Sequence, residues 1–202
     1  MEDFGFNAKG FIGIDTETTG LDFNKCQVIQ IGAVFCDKDL NVLHEQEWNI
    51  RYSTDYEWDE GAEKVHNIPI EVALAHETEF FEFRDEFKAL IKEHYGSGCL
   101  KKDIRVVAAN TYFDYMMLMN SVYHGKENKI PFSHRLIDVN SIGWLWGQTS
   151  LHDNMKYHGV TVDESKLHSA LYDAQKHMEV FSKQFSRGRD MRLLEEKHIL
   201  RK

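Results

Sequence analysis

The sequence predicts a mixed α/β protein: a five-stranded sheet flanked by helices. Two patterns predict it. The first 52 residues hold three runs of strand alternation separated by short turns, the pattern of an antiparallel meander. The rest alternates helix-period segments with two short apolar runs, which completes a mixed sheet. The chain has 202 residues, 42% hydrophobic and 12% aromatic, enough for one sizeable core. Only Pro69 and Pro131 punctuate it, and no Pro/Gly/Ser linker divides it. Residues 1–202 are therefore expected to form one domain, with 1–10 as a short arm and 187–202 as a charged tail.

The first strand is Phe11-Ile12-Gly13-Ile14-Asp15-Thr16-Glu17, and Thr18, Thr19 and Gly20 end it with turn chemistry. Gln27 to Phe35 alternates strong β-formers. Asp37-Lys38-Asp39 is a turn, and Asn41 to Tyr52 is a third strand, less apolar and so nearer an edge. Short helical turns are expected at Glu60–His66 and Pro69–Ala75. Phe80, Phe83, Phe87, Leu90 and Ile91 recur every three to four residues, an amphipathic helix that Gly96-Ser97-Gly98 closes. Arg105 to Ala109 is a short buried strand, and Asn110 is a suitable N-cap for a helix from Thr111 to Tyr123. Leu136 to Val139 is the last strand, followed by helical stretches near 140–146 and 148–158. Leu167-His168-Ser169 opens the last core helix, whose buried stripe is Ala170, Ala174, Met178, Phe181 and Phe185. The tail carries Leu193, Leu194, Ile199 and Leu200 among its charges, a helix to pack on the body or on a partner.

Composition excludes several classes. No apolar run approaches the ~20 residues of a membrane span. Met1-Glu2-Asp3-Phe4-Gly5 lacks the basic and apolar regions of a secretory signal. Cys26, Cys36 and Cys99 are odd in number and scattered, which suits thiols of a reducing, cytoplasmic compartment. A net charge of −9 argues against a nucleic-acid coat protein, though not against an enzyme acting on nucleic acid.

Three acidic stations carry the chemistry. Asp15 and Glu17 leave one face of the first strand with Cα atoms about 6.6 Å apart. Asp114 lies one helical turn beyond the fourth strand. Asp173 lies just inside the last helix, five residues after His168 on the turn that leads into it. Each station follows or ends a core element, so all can converge at one rim of the sheet, where open α/β sheets place their sites. Neighbouring carboxylates repel and resist desolvation, and a hard divalent cation removes that conflict. Four carboxylates at one rim suit a two-metal site for phosphodiester displacement. A histidine beside them suits proton transfer, since an ordinary imidazole titrates near pH ~6.5.

Asp15-x-Glu17, Asn110-x-x-Phe113-Asp114 and His168-x-Ala170-x-x-Asp173 resemble the three exonuclease motifs of the DEDD superfamily, in its DEDDh (DnaQ-like) branch. Trp146-Gly147-Gln148-Thr149-Ser150-Leu151, His168-Ser169-Ala170-Leu171-Tyr172-Asp173 and Gly96-Ser97-Gly98-Cys99 are similar to the ribonuclease T group within it. The proofreading epsilon subunit of bacterial DNA polymerase and oligoribonuclease share the core motifs more loosely. The resemblance implies a ribonuclease H-like fold and 3′→5′ removal of nucleoside monophosphates from single-stranded RNA or DNA ends. It implies two Mg²⁺ ions, with Mn²⁺ able to substitute. Asp15 would bridge them, Glu17 and Asp173 would hold the ion of the attacking water, and Asp114 would support the second. His168 would be the general base and Asp138 an acid behind the metal ligands. Phe113, Phe23, Thr18 and Asn110 would meet the substrate, the two aromatics by stacking on terminal bases. A homodimer is implied, with Lys101, Lys102 and Arg105, plus Arg187, Arg189 and Arg192, as candidates to feed the partner's site. Two departures stand out: Ala109 precedes Asn110 where relatives often carry His, and His66 and His134 occupy the segment of other wedge aromatics. Two further readings are open, a polymerase-associated proofreading subunit and a non-cleaving module that holds nucleic-acid ends or a protein. The presence of all four acids and His168 argues against the second.

Overall fold

The computed structural model describes residues 8–125 and 129–199, with side chains described as far as Asp190. Five strands form one sheet: β1 (Gly10–Thr18), β2 (Val28–Asp37), β3 (Val42–Asn49), β4 (Ile104–Ala108) and β5 (Ile137–Asp138). Their order is β3-β2-β1-β4-β5. β1, β2 and β3 form the antiparallel meander, while β4 and β5 join in parallel with β1. The mixed five-stranded sheet is thus as expected, with the less apolar β3 at an edge.

The connecting helices are α1 (Glu60–His66), α2 (Ile70–Ala75), α3 (Phe80–Tyr95), α4 (Thr111–Met117), α5 (Val139–Gly143), α6 (Leu151–His158) and α7 (Ala170–Ile199). One face of the sheet packs Ile12, Ile14, Ile31 and Phe35 against Phe83 and Phe87 of α3 and Met117 of α4. The other packs Phe11, Val34 and Val107 against Ala174, Met178 and Phe181 of α7. The periodic stripes therefore bury as expected. Cys26, Cys36 and Cys99 are free thiols, and burial pushes the Cys36 thiol up to about 12. No described helix is long and apolar enough to cross a membrane.

Two expectations change. Asn110 occupies the N-cap position of α4 but in a left-handed conformation (φ 60°), and its side chain makes no cap hydrogen bond. Asparagine tolerates that conformation better than most residues, so the residue suits the sharp turn out of β4 rather than the cap. The helix expected to reach Tyr123 is α-helical only to Met117 and continues as a π-helical stretch, Leu118–Val122. Ser121 accounts for the local change: its hydroxyl donates to the Met117 carbonyl at 2.8 Å and accepts from the Val28 amide at 3.3 Å. The charged tail is helical as far as it is described, since α7 runs unbroken past Arg187 to Ile199. Of the N-terminal arm, residues 1–7 lie outside the described residues; Lys9 already donates its amide to the Asp103 carbonyl at 2.6 Å.

Two glycines let α7 approach the sheet beside the acids. A Cβ on Gly13 would stand 2.3 Å from Met178 Cγ, a side chain able to move. A Cβ on Gly32, opposite Asp15 in the ladder, would stand 2.2 Å from the carbonyl of Ala170 and the amide of Leu171, which are backbone. Gly32→Ala is therefore expected to cost roughly 3 kcal/mol, from lifting the start of α7. A thermal melt checks this: Gly32→Ala melts several degrees below wild type, and Gly13→Ala loses less.

Candidate active site

The C-terminal half of β1 supplies two carboxylates to the α7 side of the sheet. Glu17 is buried and Asp15 half-buried. The ladder to β2 is regular through Glu17 and shifts at Thr18, where the chain turns away. Asp114, in the first turn of α4, is buried, and its Oδ1 accepts from the Thr16 hydroxyl at 2.8 Å. Thr16 points opposite to Asp15 and Glu17, so this bond fastens α4 to the strand that carries the other acids. Asp173, in the first turn of α7, accepts the His168 backbone amide on Oδ2 at 2.9 Å. His168 itself is exposed, in a left-handed conformation (φ 65°) two residues before α7. Donor atoms of Glu17, His168 and Asp173 lie within 4.8 Å of one another.

The acids sense each other. Burial, then the charges of Asp114, Glu17 and Asp173, raise the Asp15 carboxyl well above its ordinary range. Burial, then Asp173 and Asp114, push Glu17 up to about 8. Burial pushes Asp114 up to about 7 against the opposing hydrogen bond from Thr16. Burial also raises Asp173, offset by the His168 amide and charge. The four acids expected from the sequence, together with His168, thus share one rim.

This has a pH consequence. Glu17 and Asp114 bind protons more tightly folded than unfolded, whereas buried His177, His66 and His158 bind them less tightly; above pH ~6.5 the imidazoles are neutral in both states, so between pH ~6.5 and ~8 the acids decide and the metal-free folded state carries more protons than the unfolded chain. Stability without metal therefore falls as pH rises through that window. A divalent cation, which needs the deprotonated acids, reverses the trend. Melting in EDTA is expected to drop from pH 6.5 to pH 8, and added Mg²⁺ to raise melting more at pH 8 than at pH 6.5. A flat profile in EDTA would mean the carboxylates are not in conflict.

The remaining expected residues divide. Phe113 and Phe23 are half-buried and in contact, with ring centroids 5.8 Å apart. Thr18 is buried, and its hydroxyl donates to the Gly20 carbonyl at 2.9 Å, closing the turn after β1. Asn110 is exposed at the rim. Asp138 caps α5, its Oδ1 accepting from the Asn140 amide at 2.8 Å and from the Ser141 and Asn110 amides at 3.3 Å. His66 is buried edge-on to Trp58, and its ring Nδ1 accepts the Ile68 amide at 3.0 Å. His134 is exposed. Lys101, Lys102 and Arg105 sit before or at the start of β4, the end of the sheet opposite the acids. The Arg187 guanidinium lies over the Tyr157 ring at 4.7 Å, Arg189 is exposed, and the Arg192 side chain lies outside those described.

Four residues escaped the sequence reading. Thr16 is one. Gln30 Oε1 accepts the Ala170 amide at 3.0 Å, and Glu47 Oε2 accepts the Leu171 amide at 3.3 Å and the Ser169 hydroxyl at 3.2 Å. β2 and β3 thereby satisfy the first amides of α7 and fix the helix that bears Asp173. His177 is fully buried with Nδ1 3.1 Å from the Ile14 carbonyl. A carbonyl only accepts, so Nδ1 carries the proton, and Nε2 turns its lone pair toward Asp15 Oδ1, 3.9 Å away. Burial holds this imidazole neutral, down to about 4, so it gives Asp15 no compensating charge. Polar outward positions on β2 and β3 gave no hint of these long-range bonds; His177, one turn beyond Asp173 on the apolar stripe, was the only one with a readable anomaly.

The donor set fits a divalent cation. Asp173 Oδ1 is buried without a hydrogen-bond partner, and the acids around it are forced toward protonation when nothing positive faces them. Hard carboxylate oxygens with one imidazole are ligands for such an ion. The acids lie on an open rim; a groove of about 710 Å³ lined by Cys36, Val42, Lys176 and Met178 lies toward the other end of β2.

This fold with this rim defines a class of metal-dependent nuclease. A family model described as exonuclease matches residues 12–181, and the chain belongs to that family, the DnaQ-like 3′→5′ exonucleases. Among its relatives is ribonuclease T of Wigglesworthia glossinidia brevipalpis, 28% identical over 195 residues that cover 91% of this chain and 88% of that protein. Ribonuclease T of Vibrio cholerae is 28% identical over 176 residues, covering 83% and 78%. An oligoribonuclease of Francisella tularensis is 45% identical over 49 residues, only 24% of this chain and 28% of that protein. In fold, the chain is similar to E. coli exonuclease I in complex with a dT13 oligonucleotide, with TM-score 0.69 and 16% identity over 93% of this chain. It spans 43% of that longer chain.

Proposed function

We propose that this exonuclease releases nucleoside monophosphates from single-stranded 3′ ends of RNA or DNA, with two Mg²⁺ ions that Mn²⁺ can replace. The convergence of Asp15, Glu17, Asp114 and Asp173 beside His168 carries the reading. These four acids would hold the ions, Asp15 between both, Glu17 and Asp173 on one side and Asp114 on the other. When bound, the ions stabilise the attacking and leaving oxygens of the displacement. His168 Nε2 or Nδ1 accepts the proton of the attacking water; its position on an exposed turn lets the ring swing in as substrate seats. Its backbone amide meanwhile keeps Asp173 aimed at the rim. Phe113 and Phe23 stack on the terminal bases, Thr18 and Asn110 border the nucleotide backbone, and Asp138 steadies the Asn110 turn from behind. The cations Lys101, Lys102 and Arg105 sit too far round the sheet to serve this rim, so the proposal includes a homodimer in which they serve the partner's site.

The test uses purified protein with Mg²⁺ and 5′-labelled single-stranded RNA and DNA of one sequence. A ladder shortening from the 3′ end, absent in EDTA, supports the proposal, and the faster sugar assigns the substrate. Tight end binding without cleavage of either would replace it with a non-cleaving module. Sedimentation giving only monomer would remove the homodimer.

A further inference from the structure

Three aromatic side chains run outward from the acid rim. Phe113 precedes Asp114. Its ring meets Phe23 at 5.8 Å, and Phe23 meets Tyr112 at 6.0 Å and 89°. Burial falls along the row: Phe113 and Phe23 are half-buried, whereas Tyr112 is 59% exposed. Such exposure of a large ring in the first turn of a helix adds little to the core. An acid there would gain from the helix dipole, and a perpendicular contact leaves Tyr112 at least one open π-face.

The backbone beneath Tyr112 is held on both sides. The Thr111 hydroxyl lies 2.9 Å from the Ala108 carbonyl and 2.7 Å from the Ile137 carbonyl, and the Asp114 carboxylate receives the Thr16 hydroxyl. Little further ordering is needed to present the ring, which favours binding on it. Neither the exonuclease motifs nor the acid cluster explains a tyrosine here.

We propose that Tyr112 forms a separate nucleobase-stacking subsite, receiving the base on the 5′ side of those that meet Phe113 and Phe23. The subsite rests on the exonuclease reading of the rim. Stacking accepts every base, so it adds affinity for chain length without adding sequence preference. The face of Tyr112, not its hydroxyl, is the binding element, so phenylalanine replaces it and alanine does not.

Binding is measured by anisotropy in Mg²⁺ on an Asp15→Asn background, which suppresses turnover. The probes are unlabelled oligothymidylates of two and of six nucleotides, each competed against a 5′-fluorescein-labelled longer oligothymidylate. Tyr112→Ala is expected to weaken the hexanucleotide roughly 10-fold and leave the dinucleotide unchanged, with Tyr112→Phe within about twofold of its parent on both. In the active protein, Tyr112→Ala should raise KM for the longer oligonucleotide while kcat/KM for a nitrophenyl ester of a single nucleotide stays at the wild-type value. Equal loss on both lengths would mean a structural role, and no loss, or no binding of the hexanucleotide by the parent, would equally overturn the subsite. Failure of the exonuclease reading shows separately, as a missing 3′ ladder with wild-type protein.

Discussion

Asp15→Asn is expected to remove exonuclease activity, by on the order of 10²–10³-fold or more, while leaving the metal-free protein as stable as wild type or more so. Both halves come from one arrangement. Asp15 stands among Glu17, Asp114 and Asp173, whose charges add to burial in resisting its ionisation. Its basic neighbour His177 is neutral and spends its proton on the Ile14 carbonyl. Asparagine keeps the shape of the side chain and ends the repulsion, but gives a cation one fewer anionic ligand. Melting in EDTA should therefore hold or rise, and the extra stability conferred by Mg²⁺ should shrink. A fall of many degrees in EDTA, with activity insensitive to metal, would mean that Asp15 supports the fold instead.

His168→Ala separates two roles that lie within 4.8 Å of each other. As a proton acceptor, the imidazole contributes to turnover, and its removal should lower kcat by about 10²–10⁴-fold. The contact that places Asp173 comes from the His168 backbone amide, which alanine retains. Affinity for Mg²⁺, read from the metal-induced shift in melting, should change little. Because the side chain is exposed, the variant should also fold, losing on the order of 1 kcal/mol for alanine in a left-handed conformation. Parallel loss of metal affinity and turnover would make His168 a ligand, as its proximity to Glu17 and Asp173 also permits.

The architecture was legible where local pattern and tertiary burial agree. The alternation of Ile12, Ile14, Ile31 and Phe35, the phenylalanine spacing of α3 and the small-residue stripe at the start of α7 each reflect a face pressed against another. The four acids were legible because carboxylates in an apolar setting are rare without a compensating charge. Other features depend on contacts that no spacing encodes. The π-helical stretch after Met117 depends on Ser121 meeting both its own helix and β2. The tail is set off by its charge at Arg187, and that charge carries no information on whether a helix continues through it, as α7 does. Gln30 and Glu47 are ordinary polar strand residues until α7 docks and presents its first amides to them. Asn110 was read as a cap by residue type, whereas its left-handed backbone serves the turn.

The proposal requires the four carboxylates to form a divalent-cation centre. Anomalous diffraction from crystals soaked in Mn²⁺ at pH 8 tests it most directly. Anomalous peaks are expected among Asp15, Glu17, Asp114 and Asp173, absent from Asp15→Asn crystals or much reduced in them. No peak at that rim under conditions where the enzyme is active, or a peak bound elsewhere in the chain, would contradict it.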